Sequence, residues 1–295
     1  MSDPQPVLEL RGINRSFGDR RVLFDIDLAV QRGEFIALVG PSGCGKSTLF
    51  SIVGGFTDYR DYTGEVRVDG QLSRYPNCEK GIIFQKNVLY PWMNVLDNTA
   101  YGLVLKELNL GDQLFRRGHY RAMCQKYRQA AAEYLRKMCL TDADFDKMIY
   151  EISGGMQQRV DIACAMVLKP KILLMDEPFS GLDPQTRGVL QALLRSVQRL
   201  DNDTIILVTH DLDEAVYVST RVVVMSQHHG QGPGARIVLD LPIPFAGSAD
   251  PRREPEFAHL VERIRAAGFS AADRKTLEAL GVPGSEAAPP PGDRA

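Results

Sequence analysis

The sequence predicts an α/β protein: a doubly wound, parallel sheet with an antiparallel β layer at its N-terminal end and an α-helical insertion. Three observations predict it. Continuous apolar runs at 34–39, 172–175 and 204–208 have the length of strands buried on both faces. Segments of helical period separate them. A block from Asn94 to Leu168 is mostly helical in pattern, so the sheet is interrupted rather than continuous.

In order, Val7 to Ile13 alternates apolar and polar residues and reads as a strand, and Val22 to Val30 alternates again. Between them, Phe17 and Gly18 read as a loop. A flat side chain at Phe17 can stack on an adenine ring or pack on the edge of the sheet, and spacing does not choose between these. Glu34 to Val39 is a buried strand, and an apolar helix opens at Ser47. Gly64 to Gly70 reads as a strand ending in an Asp-Gly turn, and Gly81 to Phe84 as a short buried strand with Gln85 at its end. Tyr127, Ala130, Ala131, Tyr134, Leu135 and Met138 recur at helical spacing, as core residues do. Lys169-Pro170 breaks the last inserted helix. Ile172 to Met175 reads as a central strand ending at Asp176-Glu177-Pro178. A helix at Gln185 to Leu200, a strand at Thr204 to Val208 ending at Thr209-His210-Asp211, and a strand at Arg221 to Met225 follow.

Beyond Met225, Gln227 to Gly234 reads as a loop. His228-His229 lacks a third ligand, and adjacent residues point apart, which favours a solvated loop over a metal site. Glu256 to Ala267 places Phe257, Leu260, Val261 and Ile264 on one helical face, expected to pack on the main domain or on a second copy. Pro283 to Ala295 has the composition of a disordered tail.

The composition is that of a globular protein, 44% hydrophobic and 24% charged over 295 residues. A formal charge of -2 gives no global field favouring nucleic acid. No apolar run is long enough to span a membrane, and the first residues lack the pattern of a secretory signal. Five scattered cysteines without a Cys-x-x-Cys spacing point to free thiols in a reducing compartment, not to zinc.

The chemistry begins at Gly40-Pro41-Ser42-Gly43-Cys44-Gly45-Lys46-Ser47-Thr48, which fits G-x-x-x-x-G-K-[ST] between a strand and a helix. Such a loop turns successive N–H groups into one concavity, and the helix start adds unpaired N–H groups and the positive end of its dipole. Lys46 can reach the β- and γ-phosphates, and Ser47 can ligate Mg²⁺. By itself such a loop, in a P-loop NTPase (RecA-like) core, says only nucleotide. Asp176, at the carboxyl end of a buried strand, stands where the acidic residue of such ATPases holds Mg²⁺, and Glu177 where a base could polarise water. An Asp-Glu pair is also common in capping turns, but here it follows a matched phosphate loop. Ser153-Gly154-Gly155 opens a helix and offers a second anion-binding N-terminus, although Ser is also an ordinary N-cap.

The phosphate loop, Gln85, Ser153-Gly154-Gly155, Met175-Asp176-Glu177-Pro178, Ser180-Gly181-Leu182-Asp183 and His210 occur in the order found in the ATP-binding cassette (ABC) ATPases. The chain resembles that family from about Val7 to about Met225. The resemblance implies an ATPase domain at 1–230, with its core at about 1–85 and 169–230 and a helical subdomain at about 86–168. A short C-terminal extension at 231–295 then carries the helix at about 256–267. It also implies two cassettes facing head to tail around two ATP. The phosphate loop of one would hold phosphates, and Ser153 and Gly155 of the other would contact the γ-phosphate. Gln85 would sense Mg²⁺ and water, His210 would hold the γ-phosphate and orient Glu177, and Asp183 would link the two sites. Phe17 would then stack on adenine. The family signature usually has Gln where Met156 stands and Arg where Cys164 stands, which implies a tuned ATPase rather than a dead one.

Val88-Leu89-Tyr90-Pro91-Trp92-Met93-Asn94-Val95 is similar to the nitrate, sulfonate and taurine importers. For this chain the resemblance implies separate permease subunits contacted near Trp92, a periplasmic binding protein, and a peripheral place on the cytoplasmic face of the inner membrane. Trp92 can also be read as a core aromatic of the insertion. The stretch from Lys106 to Met123, with Arg116, Arg117, His119 and Arg121, is longer than usual for that group. It reads as a solvated helix or loop more readily than as a basic contact. An exporter or lipid-transport ATPase would share all the catalytic motifs. A DNA- or ribosome-acting cassette is disfavoured, because the chain has neither a long heptad run nor a second phosphate loop.

Overall fold

The computed structural model describes residues 5–107, 117–226 and 234–268, with 107 and 117–121 given by backbone alone. Two sheets share one helix between them. The first is antiparallel, with strands in the order β2-β1-β4-β5: β1 (Leu8–Phe17), β2 (Arg20–Val30), β4 (Tyr62–Val68) and β5 (Gln71–Leu72). Two strands ahead of the phosphate loop were expected in this layer; two more join it from after the loop. Phe17 is the last residue of β1, paired with Arg20, not a loop residue. Gly18 supplies a positive φ in the intervening turn, so pairing runs to the tip of the hairpin.

The second sheet has the order β10-β9-β3-β8-β7-β6. Its members are β3 (Phe35–Val39), β6 (Lys80–Ile83), β7 (Ile172–Asp176), β8 (Ile205–Val208), β9 (Arg221–Met225) and β10 (Ile237–Pro242). All neighbouring pairs are parallel except β10 on β9. The expected all-parallel sheet is thus closed at one side by an antiparallel edge strand that the sequence reading did not contain. Residues of β3 and β8 alternate between two cores. Ile36, Leu38, Ile206 and Val208 face α1 (Lys46–Gly54) and the antiparallel sheet, whereas Phe35, Ala37, Val39, Ile205 and Leu207 face the remaining helices.

The insertion folds as α2 (Val95–Glu107), α3 (Arg117–Lys137) and α4 (Gly154–Met166). Tyr127, Ala131, Leu135 and Met138 are buried and Ala130 and Tyr134 partly so, as their spacing requires. On the face of the main sheet opposite α1 lie α5 (Pro184–Asp201), α6 (Leu212–Val218) and α7 (Phe257–Gly268), in the same core as the insertion. The face of α7 formed by Phe257, Leu260, Val261 and Ile264 is buried against the main core, so it packs on its own chain. Arg195, itself buried, fixes the approach to α7 by donating to the carbonyls of Ala246 (2.8 Å) and Ser248 (2.7 Å). The expectations for His228-His229, for the side chains of Arg116, Arg117, His119 and Arg121, and for the Pro-rich tail lie outside the described residues. Lys106 is exposed and donates to Leu168 O at 3.2 Å.

Candidate functional site

The site starts at the carboxyl end of β3. Gly40 follows with φ +157, and a Cβ there would lie 2.7 Å from Met225 O, so only glycine lets the loop pass β9. Gly45 is the N-cap of α1 with φ +98. That helix has no side-chain cap and no acidic residue in its first turn, which leaves its first N–H groups for an external anion. Lys46 is buried, and its ammonium donates to Gly40 O (2.6 Å) and Pro41 O (3.0 Å), with Cys44 Sγ at 3.8 Å. Burial pushes the Cys44 thiol up, partly opposed by the Lys46 charge. Pro41 and Cys44 face inward, Thr48 is half-buried, and Ser42, Gly43 and Ser47 are exposed along the rim.

Three neighbouring strands then bring three polar side chains to one point. β7 ends in Asp176, followed by Glu177; β6 lies to one side and leads to Gln85, and β8 to the other leads to His210. Glu177 Oε1 is 2.8 Å from His210 Nδ1, and Gln85 Nε2 donates to Glu177 Oε2 at 3.3 Å. Glu177 adopts φ +47, a left-handed conformation that costs a non-glycine residue roughly 1 kcal/mol. Its N–H is tied to Val208 O at 2.9 Å, which holds the carboxylate turned toward its two partners. Asp176 is half-buried; burial first, then the charge of Glu177, raises its carboxyl, and Lys46 opposes this.

That donor set fits Mg²⁺. Ser47, Gln85 and Asp176 offer hard oxygen atoms, and a cation would relieve the crowding of two carboxyls at 176 and 177. Among the described residues no three His, Cys, Asp or Glu side chains are grouped for a metal, and Mg²⁺ needs only one or two carboxylates when phosphates supply the rest.

The other expected residues lie on different elements. Ser153 is the N-cap of α4, its Oγ accepting Met156 N–H at 3.3 Å. Asp183 is the N-cap of α5, accepting Gln185 N–H and Thr186 N–H at 3.1 and 3.0 Å. Hydrogen bonding from Thr186 holds the Asp183 carboxyl below its usual range. The two helix starts touch, since a Cβ on Gly155 would be 2.4 Å from Thr186 Cγ2. Ser153 and Gly154 are exposed, and nothing lies within 4 Å of a Cβ added at Gly154. Phe17 is 54% exposed, with the Arg15 guanidinium 4.5 Å from its ring centre.

Sequence reasoning missed the residues that brace His210. Thr209 Oγ1 donates to Glu214 Oε2 at 2.5 Å and accepts Asp211 N–H at 3.1 Å. Their signal was the stretch Val208-Thr209-His210-Asp211-Leu212-Asp213-Glu214-Ala215, which is similar to the nitrate, sulfonate and taurine importers but gave these side chains no role. It also missed Asp161, a buried carboxyl on α4 that burial pushes up to about 6, whose Oδ2 has no partner. An acidic residue inside an apolar helical run was the available sign.

A phosphate loop feeding α1, with a carboxylate pair at the end of β7 on the same edge of the sheet, defines a P-loop ATPase. The chain belongs to the ABC transporter family, whose pattern matches residues 23–180. It is 34% identical to the taurine import ATP-binding protein TauB of Escherichia coli K12 over 88% of this chain and 95% of that protein. Among solved structures it is similar to the dimeric ABC transporter cassette MJ0796, at TM-score 0.62 and 26% identity over 80% of this chain and 98% of that one. It is also similar to cbiO1 from Clostridium perfringens, part of the ABC transporter complex cbiONQ, at TM-score 0.67 and 27% identity over 88% and 100%. The chain is therefore an ATP-binding, ATP-hydrolysing cassette. Among its described residues no helix is long and apolar enough to cross a membrane.

Proposed function

We propose that this cassette supplies the energy for a membrane importer of a small anionic or zwitterionic solute of the nitrate, sulfonate and taurine kind. It would work at the cytoplasmic face of the inner membrane with separate permease subunits and a periplasmic binding protein. The observation that carries the hydrolytic part is Glu177 held between Gln85 and His210, beside the phosphate loop. Similarity to a taurine import protein over most of both chains supports the direction and solute class.

Bound Mg²⁺·ATP supplies the phosphoanhydride and the charge that draws the site together. The chain's own residues do the following. The α1 N-terminus and Lys46 bind phosphate oxygens, Lys46 exchanging loop carbonyls for them. Ser47, Gln85 and Asp176 hold the cation. Glu177 accepts a proton from the attacking water. His210, with Nδ1–H donated to Glu177, orients that base and leaves Nε2 for the phosphate side. Phe17 presents an exposed ring face to adenine.

Ser153 and Gly155 stand at the start of α4, on a different element from this cluster. A second copy, docked through the exposed start of α4 and the neighbouring cap at Asp183, would bring that turn to the γ-phosphate. ATP then joins two half-sites, and its hydrolysis separates them.

The permease contact would lie at the loop before α2. Trp92 is 69% and Val88 63% exposed there. Tyr90 stacks against both Trp92 and Tyr101, at 5.4 and 5.2 Å between ring centres. Buried Asn98 fixes the loop by bonding to Tyr90 N and to the carbonyls of Tyr90, Met93 and Asn94. A braced loop with an exposed aromatic tip fits a contact anchor.

The test is Glu177→Gln. Turnover should fall by about 100-fold or more while ATP still binds and a dimer accumulates on size exclusion. A variant that stays monomeric with saturating ATP would argue against the shared site.

A further inference from the structure

The C-terminal segment reaches the catalytic histidine through a line of polar contacts. Arg252 sits in the short turn before α7, where Asp250 Oδ1 accepts its N–H at 3.3 Å. Its guanidinium lies 3.9 Å from the ring centre of Tyr217 on α6 and donates to Gln191 Oε1 at 2.9 Å. Gln191, on α5, is 2% exposed and donates from Nε2 to Glu214 Oε1 at 3.2 Å. The other oxygen of Glu214 accepts from Thr209 Oγ1 at 2.5 Å. Thr209 Oγ1 in turn takes Asp211 N–H, and Asp211 Oδ1 takes Glu214 N–H at 3.0 Å. His210 stands between Thr209 and Asp211, and its ring meets Glu177.

Each link is directional. The Gln191 amide can donate to Glu214 only while its oxygen faces the guanidinium. The Glu214 carboxylate, with one oxygen on each neighbour, sets the Thr209 rotamer. The backbone carrying His210 is therefore pinned on both sides by groups whose orientation begins at Arg252. The ATPase chemistry needs none of these four side chains for binding ATP, yet Gln191, Thr209 and Glu214 are all buried.

We propose that Arg252 is a positioning residue for ATP hydrolysis, acting through Gln191, Glu214 and Thr209 on the placement of His210 against Glu177. The C-terminal segment thereby sets the turnover rate of the site without touching nucleotide. Anything that lifts this segment from α5 and α6 lowers turnover and leaves ATP affinity in place. This rests on hydrolysis at Glu177 and His210.

The experiment uses the purified full-length chain and measures kcat and KM for Mg²⁺·ATP. Arg252→Met keeps an apolar stem over Tyr217 and removes the donors; it should lower kcat about tenfold with KM changed less than about twofold. Arg252→Lys should recover at least half of the lost rate. Gln191→Leu should match Arg252→Met, and the double variant should be no slower than either single one. A wild-type kcat in Arg252→Met overturns the relay. So does a double variant whose losses multiply, or an Arg252→Lys no faster than Arg252→Met. A wild-type chain without turnover would overturn the site assignment itself, and the relay with it.

Discussion

Lys46 shows how one residue is prepared for its ligand. Its ammonium is already buried and directed by two carbonyls of the loop that cradles phosphate. Binding then exchanges partners rather than ordering a free side chain, which keeps the entropy cost low. Lys46→Ala should weaken ATP binding by roughly 10- to 100-fold, since hydrogen bonds to charged groups are each worth about 1.5–3 kcal/mol. Titration with a fluorescent ATP analogue checks this, and an unchanged Kd would remove Lys46 from the phosphate site.

Asp161 is a second residue with a measurable signature. Its folded-state carboxyl, at about 6, lies above the unfolded value near 3.8. A carboxyl raised on folding favours the folded state while it is protonated, and that contribution is lost as pH rises from about 4 to about 6. At pH 8 the buried charge costs roughly 2–3 kcal/mol. Asp161→Asn should therefore raise the melting temperature at pH 8, and the gain should shrink toward zero at pH 4. An equal gain at both pH values would assign the effect to packing instead.

At the scale of elements, periodicity served α7 well, because burial of a single face is what periodicity records. Glu256 to Ala267 was expected and Phe257–Gly268 is observed. Ile264 is fully buried in that face, so Ile264→Ala should cost about 2–5 kcal/mol, read from the denaturant midpoint. A midpoint within error of wild type would mean that α7 contributes little to the fold. β10 was not legible for the opposite reason. It is an edge strand, half-buried at alternate positions, with Asp240 held by Arg221 at 2.6 Å through both carboxylate oxygens. Ile237, Leu239 and Leu241 do alternate, but Val238 between them and Pro242 at the end blur that short pattern, and the pairing with β9 and the ion pair leave no local mark. The same holds for the Arg195 clamp on Ala246 and Ser248, where one side chain recognises main-chain carbonyls 51 and 53 positions away.

For the whole molecule, the order of strands converts scattered motifs into one place. The phosphate loop and the Asp-Glu pair could be read from residues alone, because each has a local physical form. That Gln85 and His210 both meet Glu177 depends on β6, β7 and β8 lying side by side; the family resemblance anticipated the His210 contact and not the one from Gln85. Placing α1 between two sheets fixes the phosphate end of the molecule, while the inserted helices carry the loop with Trp92. On the proposed reading, Trp92→Ala should cut solute uptake in the assembled transporter by about tenfold or more, because an exposed aromatic anchor dominates its contact. Basal ATPase should stay within about twofold of wild type. Intact uptake would leave Trp92 with a purely structural part.

The chain has a single tryptophan, and its indole stands largely in solvent beside the ring of Tyr90. Ultraviolet emission excited at the red edge of the indole band consequently arises from one loop and nowhere else. The untagged protein carries its own optical probe. Quenching by acrylamide and the wavelength of the emission maximum follow what happens at that loop, with no dye attached.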